Sequence, residues 1–76
     1  MDNFINIYTI FDPKSQIRLK ELYHHYKACG GTKSKKKLKK KLRKHGFTIK
    51  NKVVYKLRVN DLAKQKSVHY IINRGL

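Results

Sequence analysis

From Lys33 to Lys44 every residue is Lys or Arg except Ser34, Leu38 and Leu42, and no acid occurs between Glu21 and Asp61. On a helix, at about 100° per residue, Leu38, Leu42 and His45 share one narrow stripe, with Ser34 close to it. Lys33, Lys36, Lys37, Lys40, Arg43 and Lys44 project from the opposite side. Two leucines are too sparse for a helix that inserts into a membrane on its own. They suffice to seat the helix on a core, provided that neighbouring segments supply most of that core.

Those neighbours carry readable patterns. Leu19, Leu22, Tyr23, Tyr26 and Cys29 form a helical stripe, with Lys20, His24 and Lys27 on the other side. Gly30-Gly31 stops that helix, and Thr32 is placed to cap the lysine-rich one, which runs to His45 and closes at Gly46. Two helices joined by Gly-Gly-Thr read as a helix-turn-helix. The period then changes to two. Phe47 and Ile49 alternate with Thr48 and Lys50, and Val53, Tyr55, Leu57 and Val59 alternate with Val54, Lys56 and Arg58. With Asn51 suited to a left-handed turn position, this predicts a β-hairpin with one apolar face.

At the start of the chain, β-branched and aromatic content favours a strand from Asp2 to Phe11. The spacing of Phe4, Ile7, Tyr8 and Phe11 favours a helix, N-capped by Asp2 and ended before Pro13, and the helix is preferred here. A short strand at Gln16 to Leu19 would pair with the hairpin. Asn60-Asp61 can cap a last helix through Leu62 and Ala63, while Val68, Tyr70 and Ile72 fit a strand as well as a helix. The expected architecture is α+β: a winged helix-turn-helix of three helices and a β-hairpin wing over 1–59, with a C-terminal extension over 60–76 that adds a helix or a strand. Leu22, Tyr26, Leu38, Leu42, Phe47, Tyr55 and Leu57 should form its core.

Seventy-six residues make one small domain, in which a deep enzyme pocket is hard to build. Twenty Lys and Arg against four acids give a formal net charge of +16, so an anionic partner is needed to relieve self-repulsion. The 39% apolar content separates the chain from a disordered basic tail. Duplex DNA is the expected partner. The basic helix would enter the major groove through Lys33, Lys36, Lys37, Lys40, Arg43 and Lys44, and the wing would touch the backbone through Lys50, Lys52, Lys56 and Arg58. Most of these side chains are lysines, good for phosphates, and Arg43 alone on that helix suits two-point contact with a base. RNA is the weaker candidate, because a single-strand or RNA binder places aromatics beside its charges and here they lie on apolar stripes. The runner-up function is an RNA-binding or ribosome-associated basic protein. A third reading has the C-terminal extension mediating homodimerisation.

The stretch Leu19-Lys20-Glu21-Leu22-Tyr23-His24-His25-Tyr26-Lys27, then Ser34 to Leu42, then His45-Gly46-Phe47, resembles the winged-helix domain near the C-terminus of phage and poxvirus-type primase-helicases. That domain has an "LY..Y" helix, an "S..(K)F...L" recognition helix and a "GF" opening the wing. The likeness spans roughly Phe4 to Val59. It departs at Ala28-Cys29, where that family often has Trp-Cys, and at Leu38, where it often has Phe. The resemblance implies binding of origin or template DNA in a virus or mobile element, in replication or transcription regulation, without a helicase motor in this chain.

Other chemistries find little footing. His25 and Cys29 stand four apart, but zinc needs about four ligands and Cys29 is the single cysteine, so neither metal nor cofactor is expected. Asp2, Asp12, Glu21 and Asp61 are scattered singly, and Gly30-Gly31-Thr32 lacks a phosphate-loop framework, so no enzyme is expected. A lone cysteine fits a reducing interior, and neither a secretory signal nor a membrane span is read from the chain. The expected location is intracellular: host cytoplasm or nucleoid, or the nucleus for a eukaryotic virus.

Overall fold

The computed structural model describes residues 4–66. Along the chain run α1 (Phe4–Tyr8), β1 (Thr9–Arg18), α2 (Leu19–Ala28), α3 (Lys35–Lys44), β2 (Thr48–Lys50) and β3 (Val53–Val59), followed by helical residues 61–66, here α4. The strands form one antiparallel sheet in the order β1-β3-β2. Among the described residues the protein is therefore a small α+β unit of four helices and three strands.

One core joins these elements. Leu19, Leu22 and Tyr26 of α2, Leu38 and Leu42 of α3, Val54, Leu57 and Val59 of β3, Phe4 and Ile5 of α1 and Ala63 of α4 are all buried in it. The two leucines of the lysine run are among the most enclosed side chains, at 1% and 0% exposure. So α3 is held by its narrow stripe, and the rest of its surface is free to carry charge. His45, expected on that stripe, is instead the exposed C-cap residue of α3.

The turn between α2 and α3 is fixed by hydrogen bonds and by close packing. Gly30 takes φ +90°, a conformation that suits glycine, and the amides of Gly30 and Gly31 donate to the carbonyls of Lys27 and Tyr26. The Tyr26 hydroxyl then accepts from the Lys33 amide at 2.8 Å, so that amide is engaged before α3 begins. Ser34, not Thr32, caps α3, with its hydroxyl accepting from the Lys37 amide at 3.3 Å. Lys33 precedes the helix. α3 ends with the amides of Gly46 and Phe47 donating to the carbonyls of Arg43 and Leu42. Gly31 packs so tightly that a Cβ would clash with the Tyr26 ring. Gly31→Ala should therefore cost about 1–3 kcal/mol, read as a lowered midpoint in thermal unfolding. An unchanged midpoint would show that the Tyr26 ring is free to move.

The N-terminal expectation is corrected: the helix ends at Tyr8, and Thr9 to Phe11 pair with Val59 to Leu57 of β3. The Thr9 hydroxyl donates to the Ile5 carbonyl at 2.5 Å, occupying the acceptor that the next helical amide would use. Its proposed cap, Asp2, lies outside the described residues. β1 is accordingly longer than Gln16 to Leu19 and starts at Thr9, while Leu19 opens α2. It pairs with β3 in two stretches, Thr9 to Phe11 and Gln16 to Arg18. Between them Asp12 to Ser15 bulge opposite Lys56, with the Asp12 carboxylate accepting from the Lys14 amide and the Ser15 hydroxyl.

Lys56 adopts φ +64°, and this breaks the alternation expected along β3. Val54, Leu57 and Val59 are buried, whereas Val53 and Tyr55 are only half-buried. Tyr55 is thus corrected from core to boundary. Phe47 is half-buried and packs on the edge of the core. The hairpin turn itself is as expected. Asn51 and Lys52 both have positive φ, 51° and 64°, the mirror-image turn whose twist suits two antiparallel strands.

The C-terminal extension begins as a helix. The Asn60 carboxamide oxygen accepts from the Ala63 amide at 3.0 Å, its amide group donates to the Ile7 carbonyl at 2.6 Å, and its backbone amide donates to the Tyr8 carbonyl. One side chain thereby caps α4 and ties it to α1. The strand-or-helix alternative for Val68 to Ile72 falls outside the described residues.

Candidate nucleic-acid interface

α3 presents Lys36, Lys37, Lys40, Arg43 and Lys44 exposed, on the side away from buried Leu38 and Leu42. The Ser34 cap and the glycine-terminated C-terminus fix the two ends of this helix, so the charges sit on a rigid rod rather than a loop. Lys33 is exposed in the turn just before it. Of the expected wing residues, Lys50 closes β2 and Lys52 is the second residue of the hairpin turn, both exposed. Lys56 lies further along β3, opposite the β1 bulge. Arg58 pairs with Ile10 across the sheet, and its guanidinium forms an ion pair with Asp12 at 3.2 Å.

Among the described acids Glu21 and Asp61 are exposed, and Asp12 alone is half-buried. The Ser15 hydroxyl, then the Lys14 amide and Arg58, hold its carboxyl below the ordinary carboxylate range. Lys56 and Arg58 are therefore associated with the bulge and its acid, apart from the turn that bears Lys52.

The structure also gathers cations that the helical stripe does not reveal. An open groove of about 890 Å³ runs beside α3. Lys35, Lys36 and Lys39 line it from α3, Arg18, Leu19 and Lys20 from the junction of β1 and α2, and Asn51, Lys52 and Val53 from the hairpin turn. The Leu19 amide donates to the Lys52 carbonyl at 2.8 Å, which pins the start of α2 to the wing turn and sets the groove's second wall. Lys36 and Lys52, both expected in the interface, meet here. Arg18, Lys20, Lys35 and Lys39 join them, although helical periodicity alone does not place them on the α3 face. Tyr23 borders α3 as well, with the Lys27 and Lys35 ammonium groups 5.8 and 5.5 Å from its ring centre. Its ring stacks on Tyr26, so it buttresses the turn and is half-buried.

His25 and Cys29 are half-buried on α2. Burial pushes the Cys29 thiol up and the His25 imidazole down, and His25 Nδ1 is buried without a hydrogen-bond partner. Among the described residues no three His, Cys, Asp or Glu side chains come together as a metal site would require. A base whose folded pKa is depressed is protonated more readily in the unfolded chain. Its contribution to stability is complete above the ordinary histidine value of about 6.5 and is lost as pH falls below it. The melting temperature should thus drop between pH 7.5 and pH 5, and His25→Gln should shrink that drop. The Ala63 backbone and then Glu21 oppose the shift, while His24 and Lys64 reinforce it. An equal drop in the variant would place the sensitivity elsewhere.

Among the described residues no helix is long and apolar enough to cross a membrane. Comparison with protein-family models, characterised proteins and solved structures returned no match.

Proposed function

We propose that this protein is a winged-helix duplex-DNA-binding module, not an enzyme, that acts inside the cell in replication or transcription regulation of a virus or mobile element. The observation that carries the reading is α3: five exposed cations on the solvent side of a helix that is anchored by two buried leucines, in a stretch with no acid to neutralise it. Such a face is complementary to a polyphosphate surface and is costly to maintain without one. The order helix, strand, helix, helix, strand, strand, with β1-β3-β2 in the sheet, supports the winged-helix layout. In that layout α3 is the major-groove helix, and Lys50 and Lys52 at the hairpin turn contact the flanking backbone.

The aromatic residues support a duplex over a single strand. Phe4 and Tyr26 are buried, Tyr8, Tyr23, Phe47 and Tyr55 are half-buried, and Phe11 alone among the described aromatics stands open, at 64% exposure. One open ring, set against Phe47 with centroids 6.4 Å apart, makes a poor platform for a run of stacked bases. Equilibrium titration of matched duplex DNA, single-stranded DNA and duplex RNA in one buffer tests the reading. Duplex DNA should bind at least about tenfold more tightly than either competitor, because a helix fits the wide major groove of B-form DNA and not the narrow one of RNA. Tighter binding of duplex RNA would transfer the protein to the RNA-binding class.

A further inference from the structure

The groove beside α3 has a composition that the outer face of the helix does not share. Cations stand on both of its walls: Lys35 and Lys39 on α3, and Arg18, Lys20 and Lys52 on the opposite side. Apolar Leu19 and Val53 also line it. A concavity of about 890 Å³ has the size of a small-molecule site and cannot accommodate a duplex. A single phosphodiester strand fits this combination, because its phosphates can face two basic walls at once while its sugars lie on apolar surface. Lys36 belongs to the groove and to the outer face of α3 alike, so a strand leaving a duplex on that face reaches the groove directly.

We propose that this groove seats a short run of single-stranded backbone next to a bound duplex, so that the protein prefers a duplex with a single-stranded tail over a blunt one. The inference rests on the duplex reading of α3. The groove offers no aromatic ring for base stacking, so it grips phosphates without regard to sequence, and a free single strand gains little from it. A tail tethered to a bound duplex is presented at high effective concentration and binds where the free strand does not.

The experiment compares a blunt duplex with the same duplex carrying a six-nucleotide single-stranded tail, for the wild type and for the triple variant Arg18→Gln, Lys20→Gln, Lys39→Gln. The tail should tighten wild-type binding about tenfold and, by engaging about three phosphates, steepen the log–log salt slope by about 2. The triple variant should keep the wild-type unfolding midpoint, which reports that it is folded, and should bind the tailed and the blunt duplex with equal affinity, having lost the gain from the tail. A tail that adds nothing to wild-type binding, or a gain that survives in the triple variant, overturns the groove proposal and leaves the duplex reading standing. Failure of blunt and tailed duplexes alike to bind at low salt overturns both.

Discussion

Leu42→Ala should lower the stability of this protein by about 2–5 kcal/mol, a large share of what so small a domain possesses. Leu42 is wholly buried and, with Leu38, is the only apolar anchor along α3. Its carbonyl also accepts the Phe47 amide that leads the chain from the helix into the hairpin. Truncation leaves a cavity, and the like-charged helix, already disfavoured by repulsion among its lysines, has little else to hold it down. Thermal or urea unfolding followed by circular dichroism should show an early transition or none. Lys40→Ala, one position on the exposed face, should unfold like the wild type. A wild-type midpoint for Leu42→Ala would mean that the leucine stripe does not seat α3.

The parts of the fold legible in the sequence are those specified by neighbouring residues. α2, α3 and the hairpin follow from stripes of period 3.6 and 2, from glycines at 30 and 46, and from Asn51 in its turn. The misread segment shows the limit of that signal. Phe4, Ile7, Tyr8 and Phe11 have helical spacing, yet Thr9 to Phe11 find strand partners in β3 nearly fifty residues away, and no local pattern announces that pairing. Tyr55 was expected inside for a similar reason. Alternation holds only while every residue is extended, and Lys56, in a left-handed conformation opposite the bulge, brings Val54 inward in place of Tyr55. α3 begins two residues later than Thr32 suggests, capped by Ser34, and the segment between is tied back to α2 by the Tyr26 hydroxyl, which takes the Lys33 amide.

The candidate interface divides along the same line. Lys36, Lys37, Lys40, Arg43 and Lys44 are adjacent in one helix, so periodicity alone places them on a common face. Arg18, Lys20, Lys35, Lys39 and Lys52 come from three separate segments that meet only when the sheet closes and the start of α2 bonds to the hairpin turn. Lys35 and Lys39 were visible as members of the lysine run, but their position on the flank of α3 had no meaning until that second wall was in place. Arg58 carries the opposite lesson. It reads as an outward wing cation, whereas the bulge brings Asp12 within 3.2 Å of it.

The affinity for duplex DNA should collapse with salt. If Lys36, Lys37, Lys40, Arg43 and Lys44 meet phosphates together with Lys50 and Lys52, about 5–8 phosphates are neutralised, and the log–log slope should be about −4 to −7. Raising salt from about 50 to 200 mM should then weaken binding by about 10²–10⁴-fold. Arg43 should behave differently from its lysine neighbours, because its planar guanidinium can bridge two acceptors on a guanine edge. Arg43→Ala should narrow the gap between preferred and random sites by about 1–3 kcal/mol, while a lysine variant weakens all sites alike.

The central claim, that the exposed face of α3 is the DNA-facing surface, is tested most directly by a salt titration of blunt-duplex binding for the wild type and Lys40→Ala. Lys40 lies directly opposite the Leu38–Leu42 stripe, so its loss should remove about one phosphate contact, reduce affinity uniformly across sequences and flatten the slope by about 1, in a variant that remains folded. A wild-type slope near zero, or a Lys40→Ala protein that binds duplex DNA with wild-type affinity and slope, would contradict the claim.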